Sequence, residues 1–251
     1  KAVNKRTRAI VAVDLYGHPA DLIALKKIAK KFNLKIIEDA AQAHGAKISG
    51  KPIGSFSDTT CFSFFPGKNI GAFGDAGAVT TNNYKVYQII RSLRNYGEKD
   101  FFNLKDRKYS NIYKGVNSRL DELQAAILLI KLNRYSDEQR KRNLIANFYL
   151  KNIKNYKIKL PITKKNYKHA WHLFVIKCKN RNKLKLFLKK NKIQTMIHYP
   201  IPPHKQIALK EFRNLPLRST EKLSREVLSI PNNPTLKIKD LEHIVKVINK
   251  F

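Results

Sequence analysis

Cysteine and acidic residues are scarce in this chain. Only two of its 251 residues are cysteines, Cys61 and Cys178. They lie far apart inside apolar runs, which predicts buried free thiols, excludes a disulfide framework and fits a reducing cytoplasm. No apolar run is long enough to cross a bilayer, and the opening Lys-Ala-Val-Asn-Lys-Arg lacks the apolar stretch of a secretion signal. A cytoplasmic protein with no membrane partner is therefore expected. The first residue is not methionine, so we expect the chain to begin inside a domain. Acids number 18 against 51 lysines and arginines, a formal net charge of +33. Such a charge raises the question of a polyanion partner. The lysines are dispersed through every segment, and no homeodomain, zinc-finger or RNA-recognition signature accompanies them. No nucleic-acid partner is expected; a solvated basic shell that attracts an anionic nucleotide substrate fits better. A nucleic-acid binder would instead lose affinity for generic DNA steeply with salt. His169, His172, His198 and His204 match no zinc spacing and no cysteine or carboxylate cluster joins them, so no metal is expected.

Against this background one stretch stands out, CFSFFPGKNIGAFGDAGAVTT at residues 61–81. Its first five residues have the length and aromatic content of a buried strand, and Pro66-Gly67 stops it. Lys68 therefore falls just past a strand end. Gly71, Gly74 and Gly77 let the backbone pass close to something bulky before a second short strand at residues 78–81. Lys68 is either an ordinary surface hairpin lysine or a partly desolvated amine fit to act as a nucleophile or to form a Schiff base. Asn69 follows it where a Walker-type loop needs Ser or Thr, and the glycine spacing does not match the dinucleotide fingerprint.

Upstream, residues 34–39 read as a strand ending in the carboxylates Glu38 and Asp39, followed by the small-residue run AAQAHGA. An acid at a strand end followed by small residues has the geometry of a ligand site. Pyridoxal phosphate needs a lysine to bond its aldehyde and a carboxylate to keep its pyridine nitrogen protonated. Lys68 and Asp39 supply that pair.

Four ordered motifs, EDAAQAHGA, SFFPGKNIGAFGDAGA, GVNSRLDELQAA and IHYPIPPH, together resemble the nucleotide-sugar aminotransferases called DegT-like (DegT/DnrJ/EryC/StrS). The resemblance runs from about Arg8 almost to the C-terminus. It implies an α/β protein of the aspartate aminotransferase (type I pyridoxal phosphate) fold. Residues 1–135 would be part of a large domain with a mixed, mostly parallel sheet, and residues 136–251 a small C-terminal α+β domain. By the same resemblance Lys68 is the catalytic lysine that bonds the cofactor, Asp39 partners the ring nitrogen, Gln42 lies against the ring or its hydroxyl, and Ser63 is a phosphate ligand. Asn117 would reach the phosphate in the other subunit of a homodimer. His44, Arg119, His198 and Tyr199 become candidates for substrate contact. Glutamate is the implied amino donor and a nucleotide-linked keto-sugar the acceptor, a dTDP-3-keto-6-deoxyhexose destined for a surface glycan such as O-antigen lipopolysaccharide. Lys68 argues against the sister dehydratases, which carry histidine at this place. Relatives usually read SFYPGKN, so Phe65 removes a phenol, and Val116 stands where an aromatic is common. A full family member carries roughly a hundred residues before this point, with groups that anchor the phosphate and clamp the ring. The alternative is accordingly an inactive fragment or assembly module.

In chain order, residues 9–15 read as a strand, and His18-Pro19 opens a helix with Leu22, Leu25, Ile28, Ala29 and Phe32 at helical spacing. With residues 35–39 this is the β-α-β rhythm of a parallel sheet. Residues 84–95 read as a helix and residues 96–115 as a long loop. A further helix begins near Ser118 and runs to about Leu150 with a break at residues 133–136. Beyond Tyr156 strands are expected at residues 169–177 and 194–199, a helix at residues 182–190, and a helix, a turn and a closing helix at the end.

Overall fold

The computed structural model describes residues 2–99 and 110–251. Ten residues of the loop expected at 96–115 lie outside that range. The chain divides into two units, Lys1–Ser136 with Asn166–Ala170, and Asp137–Lys165 with Trp171–Phe251.

The first unit is built on β1 (Ala9–Val13), α1 (Leu22–Lys31) and β2 (Lys35–Asp39). Asp21 caps α1 by accepting from the Ala24 N–H at 3.2 Å, and Lys30 and Lys31 lie in its last turn, where the helix dipole favours cations. The helix begins three residues after the expected Pro19, because Asp21 supplies the cap. β1 and β2 pair in parallel with Val13 opposite Asp39, and β2 pairs in parallel with β5 (Thr59–Ser63), Asp39 opposite Cys61. β6 (Gly77–Thr80) adds an antiparallel edge, giving the order β1-β2-β5-β6. The short strands β3 (Lys47–Ile48), β4 (Lys51–Pro52) and β7 (Tyr167–Lys168) form a second, antiparallel sheet. Helix α2 (Tyr84–Leu93) is capped by Asn83.

Side chains alternate across a strand, so the register decides which residues enter the core. Ala12, Ile36 and Glu38 face inward with Leu22, Ala29, Leu34 and Ile48. Val11, Val13 and Ile37 face the other way and are exposed, Val11 at 63%. Asp39, Cys61 and Ser63 share that open face by the same alternation. Cys61 is consequently half-buried, not buried as expected, while Cys178 is buried; both are free thiols.

Helix α3 (Glu122–Asn152) begins in the first unit and ends in the second. It runs without the break expected at residues 133–136. That stretch holds weak helix formers but no glycine or proline, and tenths of a kcal/mol per residue do not stop a helix with packing on either side.

The second unit packs β8 (Phe174–Lys177) antiparallel to β9 (Val227–Ile230), with α4 (Arg181–Lys190), α5 (Arg218–Glu226) and α6 (Ile238–Lys250). Phe174 is fully buried, stacked on Trp171 and edge-on to Tyr149, whose hydroxyl donates to the Pro231 carbonyl at 2.8 Å. The strand expected over residues 169–177 is shorter: Trp171 adopts a positive φ of 49°, which breaks the extended run before β8. Residues 194–199 make only one bridge, Met196 to Ser229, instead of a strand. β9 itself, four apolar or small residues before Pro231, was not anticipated. Truncating the ring at the centre of this core, Phe174→Ala, should cost about 3–5 kcal/mol in urea unfolding; a loss below about 1 kcal/mol would contradict the packing described.

Candidate active site

At the end of β2 the consecutive acids separate. Glu38 is fully buried, and its Oε2 accepts from the Gly54 N–H at 2.9 Å, the Ser57 hydroxyl at 2.8 Å and the Thr60 hydroxyl at 3.0 Å. Asp39 is half-buried on the open face and accepts from the Ala41 N–H at 3.1 Å. Its charge reaches Cys61 across the strand pair and, after burial, is a cause that holds that thiol above its ordinary pKa. Gln42 follows one turn later, its Oε1 accepting from the Tyr16 N–H at 2.6 Å.

The Lys68 loop is held mainly by backbone. Phe64 N–H donates to Ala76 at 2.8 Å, Ala72 N–H to Phe64 at 2.7 Å, and Lys68 N–H to Phe65 at 2.8 Å, closing a neck and a turn. Buried Asn69 donates from its side chain to the Ala170 carbonyl at 3.0 Å. Asparagine in place of a phosphate-loop hydroxyl thus has a structural use that the sequence reading missed. A Cβ on Gly71 would lie 2.5 Å from the Pro66 carbonyl oxygen, so glycine is required there by close backbone approach. Lys68 itself is half-buried.

His44 lies between these parts. Its ring packs against Phe62 and Phe64 with centroids 5.7 and 5.5 Å away; the Ser63 backbone lies near it, and neither ring nitrogen makes a hydrogen bond of ordinary geometry among the described residues. Burial, and after it the charge of Lys68, lowers its pKa to about 4, so the imidazole is neutral at pH 7. The Tyr135 hydroxyl donates to its carbonyl.

Asp39, Gln42, His44, Ser63 and Lys68 are therefore brought to one end of the first unit's sheet. Ser63 Oγ lies 3.4 Å from the Phe65 N–H, which donates to it. Asn117 and Arg119 also belong to this unit but are exposed, Arg119 Nε donating to Asn117 Oδ1 at 2.9 Å while its guanidinium lies over Tyr96. With Arg91 and Arg94, which the sequence reading did not single out, Arg119 and Ser63 line a cavity of about 1600 Å³. Lys68 and Asp39 are not among its lining residues. His198 and Tyr199 belong to the second unit, where His198 Nδ1 is 2.8 Å from Ser229 Oγ and burial lowers the imidazole pKa.

An amine on a backbone-fixed loop, a carboxylate one strand away, and an amide and a hydroxyl at the same sheet end form a donor set that fits pyridoxal phosphate. Comparison with known proteins agrees. The DegT/DnrJ/EryC1/StrS aminotransferase family model matches residues 1–249. A dTDP-3-amino-3,6-dideoxy-alpha-D-galactopyranose transaminase of Aneurinibacillus thermoaerophilus is 47% identical over 99% of this chain and 67% of its own length. A dTDP-3-amino-3,4,6-trideoxy-alpha-D-glucose transaminase of Streptomyces venezuelae is 40% identical over 100% of this chain and 65% of its own. The crystal structure of S. venezuelae DesV in complex with a ketimine intermediate superposes with a TM-score of 0.93 at 40% identity, covering 99% of this chain and 66% of that one. The chain belongs to the DegT/DnrJ/EryC1/StrS aminotransferase family, whose enzymes depend on pyridoxal phosphate and have the type I fold. It spans about two-thirds of the length of these relatives.

The neutral state of His44 has a measurable consequence. The unfolded imidazole titrates near its model value of 6.5 and the folded one near 4, so the unfolded chain binds more protons between those values. Stability is present above about 6.5 and is lost as pH falls through the folded pKa. His44→Gln should therefore flatten the decline in urea-unfolding free energy over that window, by about 3 kcal/mol at most. His169, lowered to about 3 by burial, adds a slope of the same sign and Asp14, raised to about 8, one of the opposite sign; both are common to the two proteins, so the difference between them reads His44. An unchanged slope in His44→Gln would contradict a buried neutral His44.

Proposed function

We propose that this chain serves pyridoxal-phosphate-dependent transfer of an amino group from glutamate to a keto-sugar nucleotide, a dTDP-3-keto-6-deoxyhexose, within a cytoplasmic homodimer that makes amino sugars for a surface glycan. The single observation that carries the reading is the convergence of Lys68, on its glycine-fixed loop, and Asp39, on the open face of β2, at one end of the same sheet. The named transaminases among the relatives support it.

The bound cofactor would supply an electron sink for a carbanion next to nitrogen. Lys68 is the residue that would hold the cofactor covalently, and its Nζ, when free, would move a proton between the two reacting carbon centres. Asp39 would hold a proton on the ring nitrogen by charge and hydrogen bond. Gln42 would fix the ring plane or its hydroxyl, and the Ser63 hydroxyl would donate to the phosphate, with Asn117 reaching the phosphate in the partner subunit's site. His44, proposed for substrate contact, is a neutral ring enclosed behind Phe62 and Phe64 and would add no charge beside Lys68; Arg119, with its fixed cation, suits an anionic nucleotide. His198 and Tyr199 are assigned to the sugar-phosphate side. We divide the protein into a large cofactor domain, residues 1–135, and a small domain, residues 136–251.

Two measurements test this. Borohydride reduction of the protein with pyridoxal phosphate, followed by peptide mapping, should place the pyridoxyl group on Lys68; a label on another lysine would remove Lys68 from the role. Asp39→Asn should keep the fold and the labelling while lowering transamination by on the order of a hundredfold or more. Near-normal turnover would take Asp39 out of the mechanism.

A further inference from the structure

Asp14 lies at the end of β1 and is fully shut from solvent. One of its oxygens, Oδ1, accepts from the Ala20 N–H at 2.7 Å, whereas Oδ2 has no donor among the described residues and lies toward the Glu38 carboxyl. Across the parallel pair, Glu38 shows the complementary pattern, with three donors on Oε2 and none on Oε1. Ala12 and Glu38 are register partners, and Asp14, two residues beyond Ala12, shares their face. Two buried acids thus stand side by side, each with one orphaned oxygen. A buried carboxylate oxygen with no donor is costly, and two facing each other as anions are costlier still. One proton between them satisfies both oxygens. A bound cation fits less well, since two carboxyl oxygens fall short of the six or more that hard divalent ions take.

We propose that Asp14 and Glu38 share a single proton in the folded protein, and that this pair is the strut that holds the 3-10 turn Leu15–Gly17 and, through it, Gln42. The turn follows Asp14 directly, with Tyr16 at a positive φ of 62°. Asp14 N–H donates to the Asp39 carbonyl at 3.0 Å and Gly17 N–H to the Asp14 carbonyl at 3.2 Å. Tyr16 N–H then reaches Gln42 Oε1 at 2.6 Å. Asp14 thereby acts as a positioning residue for Gln42. This last consequence rests on the cofactor reading of Gln42; the shared proton does not.

Titration follows from the same geometry. Burial first, and then the charges of Glu38 and Asp39, raise the Asp14 pKa from 3.8 to about 8. The groups acting on Asp14 are two further carboxyls, both on β2, and the Ala20 N–H; Glu38 in turn faces Asp14, the Ser57 and Thr60 hydroxyls and the Gly54 N–H among the described residues. The folded pair keeps a proton that the unfolded chain has lost, so its contribution is full below about 3.8, declines as pH rises, and is gone above about 8. Within that window the folding equilibrium constant falls by up to about tenfold per pH unit on this account.

The test compares wild type with Asp14→Asn and Glu38→Gln, each of which keeps a donor between the two side chains but needs no shared proton. Urea unfolding from about pH 5 to about pH 8 should show the wild-type folding constant declining relative to both variants by several-fold or more per unit. In ¹H–¹⁵N spectra, the Tyr16 amide and the Gln42 side chain should shift with a midpoint near 8 in wild type and not in either variant. A pH-independent stability difference would overturn the shared proton. Pair-dependent stability with Tyr16 and Gln42 signals that do not follow the pair would overturn the strut. Pyridoxyl labelling at Lys68 is read separately, so failure of the cofactor reading is distinguishable from either result.

Discussion

The register of β2 against its two neighbours is the constraint from which the rest of the site follows. Val13, Asp39 and Cys61 stand opposite one another across three parallel strands. Because successive side chains point to opposite faces, this register sends Glu38 into the core and Asp39 to the open face. A slip of one residue would exchange them, burying the acid proposed to meet the cofactor and exposing the one that accepts three internal hydrogen bonds. Adjacent identical chemistries thus acquire a structural and a functional role from geometry alone.

The second constraint is on backbone. Lys68 extends from a loop whose neck is tied by hydrogen bonds on both sides of Phe64, whose interior admits no Cβ at Gly71, and whose flank is held by Asn69. Little of this depends on side-chain packing around the lysine itself, which leaves the amine room to bond a ligand while its base stays fixed. Orientation of that kind is where much of the rate in such chemistry arises.

The strand, helix and strand of the first unit were legible because Leu22 and Ala29 recur at helical spacing and the residues of β2 end in acids. Lys68 and Asp39 were legible through local motifs. The open face was not: β1 reads Ala-Ile-Val-Ala-Val, apolar at every position, so its sequence carries no alternation to say which side is covered. β9 was missed because four residues before a proline are too short to show a period. The unbroken α3 and the late start of β8 depend on tertiary packing and on the left-handed Trp171, neither visible in local propensity. Asp14 was missed for a related reason: an acid after an apolar run looks like a strand end, and its significance comes only from Glu38 twenty-four positions away.

The central claim is that the strand register divides Glu38 and Asp39 between core and site, and the direct measurement is a side-by-side urea unfolding of Glu38→Ala and Asp39→Ala near pH 7. Glu38→Ala leaves three donors and an acid without their partner and should cost about 3 kcal/mol or more. Asp39→Ala removes a half-exposed carboxylate with one backbone donor and should cost about 1 kcal/mol or less. Equal losses, or the reverse order, would contradict the account.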